Sequence, residues 1–90
     1  MWTFYVQKLE DNTIEVFQIE PSKTFGEFRR IVAARINQNA NDLLLEKEQE
    51  YDCSYNSTKI SEIRSIHNYD TFYSIYQVGG GNKKVYTINK

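Results

Sequence analysis

Side chains with the chemistry for catalysis or metal binding are few in this chain of 90 residues: one cysteine, Cys53, and one histidine, His67. A Cys–His pair works as nucleophile and general base when a third group orients the imidazole. Here the two stand on opposite sides of the Ile60–Ile66 segment, and no motif places a carboxylate beside them. A single cysteine forms no internal disulfide, and one Cys with one His supplies fewer ligands than a structural zinc needs. Gly79-Gly80-Gly81 follows a strand-like run but precedes no helix, so it is not a glycine loop seating a phosphate on a helix N-terminus. Arg29, Arg30 and Arg35 share one helical segment and read as a solvated basic face. The expectation is a protein that is not an enzyme and carries no metal or other cofactor.

Charge points the same way. Eleven Lys and Arg against twelve Asp and Glu leave a net charge of −1, which gives no field to hold nucleic-acid phosphates or anionic lipid. No stretch approaches the roughly 18–20 apolar residues of a membrane span. The start, Met1-Trp2-Thr3-Phe4-Tyr5-Val6, lacks the basic region and long apolar run of a secretory signal, so the sequon Asn56-Ser57-Thr58 reads as a chance match. With 40% apolar and 26% charged residues, one small domain is expected, burying roughly 60–65% of its unfolded surface. We expect a cytoplasmic monomer that binds neither nucleic acid nor membrane.

The elements that position these residues follow from hydrophobic period and turn chemistry. Trp2, Phe4 and Val6 alternate as in a half-buried strand, with Tyr5 and Leu9 out of phase. Glu10-Asp11-Asn12 makes a turn into a second strand over 13–19, so the chain opens with a hairpin. Phe17 and Ile19 are out of phase with Ile14 and Val16, which predicts a bulge late in that strand. After Glu20-Pro21-Ser22, Thr24 and Glu27 form a capping box, and Phe25, Phe28, Val32 and Ile36 make a helical stripe widened by Ile31 and Ala34. Glu27, Arg29, Arg30 and Arg35 fall on the wet side, and the helix stops near Asn37.

Leu43–Glu46 is a short strand, and Lys47-Glu48-Gln49-Glu50 a solvated turn. The segment 51–55 is a short edge strand or irregular, its tyrosines capping the core. Ser57 or Thr58 caps a turn that carries Ile60, Ile63 and Ile66 into the core. Thr71–Val78 has apolar groups on both faces, as in a central strand.

Hairpin, helix, short strand, helical turn and final strand is the order of a β-grasp. Glu20-Pro21-Ser22-Lys23-Thr24 resembles the Glu-Pro-Ser-Asp-Thr that leads into the helix of the ubiquitin family. Leu43-Leu44-Leu45, Ile60-Ser61-Glu62 and Thr71-Phe72 resemble further segments of that family more loosely. The resemblance implies an α+β ubiquitin-like β-grasp over 1–81. A mixed sheet of four to five strands packs on one main helix, and 82–90 form an extension that is a removable tail, an extra strand or a linker.

What the resemblance implies for function divides at the glycines. Modifiers of this family end in Gly-Gly because a terminus without side chains threads narrow protease and enzyme channels. On that reading Gly79, Gly80 and Gly81 are the conjugation and processing site, and the partners are a dedicated protease, activating and conjugating enzymes, and targets. Lys8, Lys23, Lys47 and Lys59 are then candidate acceptors. Tyr76-Gln77-Val78 stands where ubiquitin has arginines, so a cognate system would be required. On the alternative reading the glycines are a hairpin turn or linker, and the chain is a noncovalent interaction module. The family's apolar sheet patch corresponds here to Leu44 or Leu45, Ile75 and, at the hairpin tip, Leu9.

Overall fold

A computed structural model describes residues 1–51, 53–78, 82 and 83, without the side chains of Cys53, 76–78, 82 and 83. Strands β1 (Trp2–Lys8) and β2 (Ile14–Ile19) form the opening hairpin. Its turn closes through Lys8 N–H on the Thr13 carbonyl at 2.9 Å and Asn12 N–H on that of Lys8 at 2.8 Å. Asn12 sits at φ 61°, a left-handed conformation that asparagine tolerates. The Asp11 carboxylate accepts from the Thr13 N–H (3.0 Å) and hydroxyl (2.7 Å).

The register runs unbroken from Trp2 opposite Ile19 to Gln7 opposite Ile14, so the expected bulge is absent. Phe17 and Ile19 face the core, whereas Ile14 and Val16 are 57% and 51% exposed. Both phases of β2 are apolar, and the phase joined to Phe4 across the ladder is the one that meets the helix.

Helix α1 (Phe25–Arg35) starts at Thr24, whose hydroxyl accepts from the Glu27 N–H at 3.2 Å. It stops where asparagine allows: Asn37 is left-handed at φ 61°, and Gln38 N–H reaches back to the Ala33 carbonyl at 2.9 Å, as in a Schellman closure. Phe25, Phe28 and Val32 are fully buried. Ile31 and Ala34 are exposed, contrary to the expected width of the stripe, because the buried face turns the other way, through Arg29 and Ala33. Arg29 is therefore 1% exposed rather than solvated as its charge predicts.

A 3₁₀ turn (Ala40–Asp42) leads into β3 (Leu43–Glu46), which pairs antiparallel with the edge strand β4 (Glu50–Tyr51). Strand β5 (Thr71–Val78) lies parallel to β1, Tyr5 opposite Thr71, and antiparallel to β3, Leu44 opposite Ile75. The mixed sheet has the order β2-β1-β5-β3-β4, with β6 (Asn82–Lys83) paired to the far end of β5. This is an α+β, β-grasp arrangement of five strands over one helix.

Between the layers, the Phe4, Phe28 and Phe72 rings pack with centroids 5.0 to 5.7 Å apart, edge-on or tilted, and Phe25 meets Tyr51 at 5.3 Å. Ile60, Ile63 and Ile66 fill the open end of this core, as their spacing predicts. Lys59 rather than Ser57 or Thr58 precedes that turn, and it makes no side-chain cap bond. Backbone bonds to the segment before the helix hold the turn instead: Ile60 N–H to the Lys23 carbonyl at 2.9 Å and Ser61 N–H to that of Pro21 at 3.0 Å. Thr58 serves through its carbonyl, which accepts from the Phe25 N–H at 2.8 Å.

Candidate interaction surfaces

Of the two residues suited to catalysis, only His67 has a described side chain. His67 is exposed; its backbone N–H donates to the Asp70 carboxylate at 2.6 Å, and its Nδ1 lies 3.9 Å from the same oxygen. The Cys53 side chain lies outside the described residues. Among the described residues, no three His, Cys, Asp or Glu stand together as a metal site would need, and no helix is long and apolar enough to cross a membrane.

The basic face is divided. The Arg29 guanidinium is drawn under the sheet edge, donating to Asn56 Oδ1 at 2.8 Å, to the Ala40 carbonyl at 2.6 Å and to the Leu43 carbonyl. Arg35 pairs with Glu15 at 3.4 Å and lies over the Phe17 ring, 4.7 Å from its centroid. Arg29 and Arg35 thus serve the fold, whereas Arg30 stays exposed, as expected of the wet side.

Of the candidate acceptor lysines, Lys23 and Lys59 are exposed, while Lys8 pairs with Asp11 at 3.4 Å. Lys47 is held by three groups: its ammonium donates to the Ser65 carbonyl at 2.8 Å and lies 3.1 Å from Glu48 and 3.4 Å from Asp70. Partial desolvation works to lower its pKa, but Glu48 and Asp70 outweigh this and hold it above its ordinary value. Asp11 is shifted the other way, held below its ordinary range by the Thr13 hydroxyl and backbone N–H and by the nearby Lys8.

Gly79, Gly80 and Gly81 lie outside the described residues. The residues on either side of them are paired, Val78 opposite Asn82 and Gln77 opposite Lys83.

On the sheet, Leu45 is fully buried in the core and is not part of a binding face, since alternation along β3 puts Leu43 and Leu45 toward the helix and Leu44 away from it. Leu44 and Ile75 do stand side by side on the outer face, as the patch requires. They are only 7% and 2% exposed, so this pair is covered rather than presented. Leu9 is half-buried in the β1–β2 turn.

The accessible apolar surface of that face lies toward β2. Phe4 and Val6 point to the core, so Tyr5 and Gln7 point outward. Tyr5 is opposite the exposed Val16, Gln7 opposite the exposed Ile14, and on its other side Gln7 is opposite Tyr73. Tyr5, Ile14, Val16 and Tyr73 together form a patch that sequence reading did not assemble. Its one legible signal was Tyr5 out of phase with Phe4 and Val6; the rest depended on which phase of β2 faces the helix.

No protein-family model matches the chain, and no curated protein matches it. Among solved structures it is similar to the crystal structure of ATBAG1 in complex with HSP70, with a TM-score of 0.69 and 16% identity over 84% of this chain. The match covers 40% of that chain, so the present sequence corresponds to less than half of its neighbour's length. At this identity the likeness concerns the fold.

Proposed function

We propose that this chain is a ubiquitin-like β-grasp module that binds a protein partner noncovalently through the outer face of its sheet, without catalysis of its own. The observation that carries the reading is the patch of Tyr5, Ile14, Val16 and Tyr73, two exposed β-branched residues beside two half-buried tyrosines. Tyrosines flanked by aliphatic side chains are the composition that interface centres favour. The pairing of Val78 with Asn82 supports the glycines as a hairpin connection, since three intervening residues is a length such loops use. The similar fold in ATBAG1, solved in complex with HSP70, is in keeping with a role in protein complexes.

The test uses the full chain in its own host with a photo-crosslinking phenylalanine analogue at position 73. Covalent adducts that disappear in Val16→Asp and persist in a Gly80→Ala/Gly81→Ala double variant are expected. Intact mass decides the competing reading. A protein shortened by 82–90, with conjugates that vanish in the double-glycine variant and no crosslinks from position 73, would make it a modifier conjugated through glycine and overturn the module.

A further inference from the structure

One row of residues crosses the sheet from edge to edge. Ile14 on β2 stands opposite Gln7 on β1, Gln7 opposite Tyr73 on β5, Tyr73 opposite Glu46 on β3, and Glu46 opposite Glu50 on β4. The neighbouring pair on β3 and β4, Leu45 and Tyr51, faces the core, so alternation turns Glu46 and Glu50 to the outer face. That face is therefore graded. Aliphatic and aromatic side chains lie at its β2 end, Tyr73 lies in the middle, and two carboxylates lie at its β4 end.

Like charges directly opposite each other across a ladder repel and cost stability. Lys47, the cation next in sequence to Glu46, is spent elsewhere, on the Ser65 carbonyl, Glu48 and Asp70. Glu46 takes part in none of the ion pairs found among the described residues. Of the outward positions of β1 to β5 whose side chains are described, none is a lysine or an arginine. The charge on this face is thus of one sign, and it stands beside the apolar patch, with Tyr73 between them.

Building on the outer-face reading above, we propose that Glu46 and Glu50 select the partner by charge. The segment that docks sets an apolar side chain on Tyr5, Ile14 and Val16 and an arginine over Tyr73, its guanidinium reaching the two carboxylates. Adjacent strands lie about 4.8 Å apart, so the apolar end and the carboxylate pair are about 14 Å apart, three strand spacings. That distance fixes how far the arginine stands from the apolar anchor. A guanidinium suits the position because its charge offsets two anions and relieves their repulsion, while its planar fork bonds a carboxylate in two places and stacks on a tyrosine ring. A lysine supplies the charge without the fork, and an acidic segment is repelled.

The experiment selects peptides from a phage-displayed random library against the full chain, then titrates the selected peptides into isotopically labelled protein by NMR at two salt concentrations. Peptides carrying an arginine and an apolar anchor, shifting the amides of Tyr5, Val16, Glu46 and Tyr73, are expected. Glu46→Gln/Glu50→Gln should weaken them by about tenfold and remove most of their salt dependence. This double variant keeps side-chain shape and removes a repulsion, so its urea midpoint should not fall. Glu46→Lys/Glu50→Lys should in turn bind a peptide with glutamate in place of its arginine better than it binds the original. Peptides lost in Val16→Asp but held equally by wild type and the double glutamine variant, or peptides enriched in acidic residues, would overturn the charge selection and leave the outer-face reading standing. Failure to enrich any peptide, or peptides that bind Val16→Asp as well as wild type, would overturn both.

Discussion

Arg29 shows how far a single side chain can depart from its type. Charge pattern assigns it to the wet side of α1, yet its guanidinium is buried among two carbonyls and an amide oxygen supplied by 40, 43 and 56. No sequence pattern marks a carbonyl as an acceptor, so this role is invisible before the loops are in place. Arg29→Met, which keeps the stem and removes the donors, should cost about 3 kcal/mol, read as a lower urea midpoint at unchanged slope. Gly26 is another residue decided by its neighbour: a Cβ there would stand 2.7 Å from the Asn56 carbonyl oxygen. Backbone does not yield as a flexible side chain would, and Gly26→Ala should cost about 2 kcal/mol in the same measurement. Asp11 gives a titration rather than a stability test. Its folded pKa is depressed, so its small contribution is present above the unfolded value and fades as pH falls through the folded one. Carboxyl carbon NMR should place its midpoint below the ordinary 3.8, with Thr13→Val moving it back up.

At the scale of elements, capping chemistry was the most legible feature. Thr24 and the Asn37 stop bound α1 where their residue types predict, and Thr24→Ala should destabilise the protein by about 1 kcal/mol in thermal or urea unfolding. The strands β3 and β5 coincide with the apolar runs that foretold them, whereas β2 did not yield its inward phase. Lys47 joins two elements, tying the β3–β4 turn to the segment before β5 through Ser65 and Asp70. Its folded pKa is raised, so the stabilisation is fully present below the ordinary 10.5 and is lost as pH climbs through the folded value. Asp70→Asn should therefore flatten the alkaline limb of a stability-against-pH curve and lower the Lys47 midpoint seen by NMR.

For the molecule as a whole, the decisive contact is the parallel pairing of β1 with β5, the first strand with one near the other end of the chain. Phe72 carries that pairing into the core, meeting rings from β1, α1 and β4. Phe72→Ala should cost about 4 kcal/mol, a large part of the roughly 5–15 kcal/mol that holds a domain of this kind together. The same long-range closure sets the folding rate. Stopped-flow refolding should fall between the rates of helical bundles and all-β barrels, on a timescale of roughly milliseconds to a second.

Legible from the chain alone were the order of the main elements, the cap and stop of the helix, the inward Phe4, Phe25 and Phe28, and the Ile60–Ile63–Ile66 plug. These follow from period, turn residues and hydrophobicity, which act over a few neighbouring residues. It took the folded chain to turn Ile14 and Val16 outward, to put Leu45 in the core while Leu44 and Ile75 are covered, to bury Arg29 and to bring Phe72 against the rings of β1 and α1. Each of those depends on which strand lies next to which and on the side the helix crosses. Such relations join residues far apart in the chain, and when both phases of a strand are apolar, local pattern alone does not choose between them.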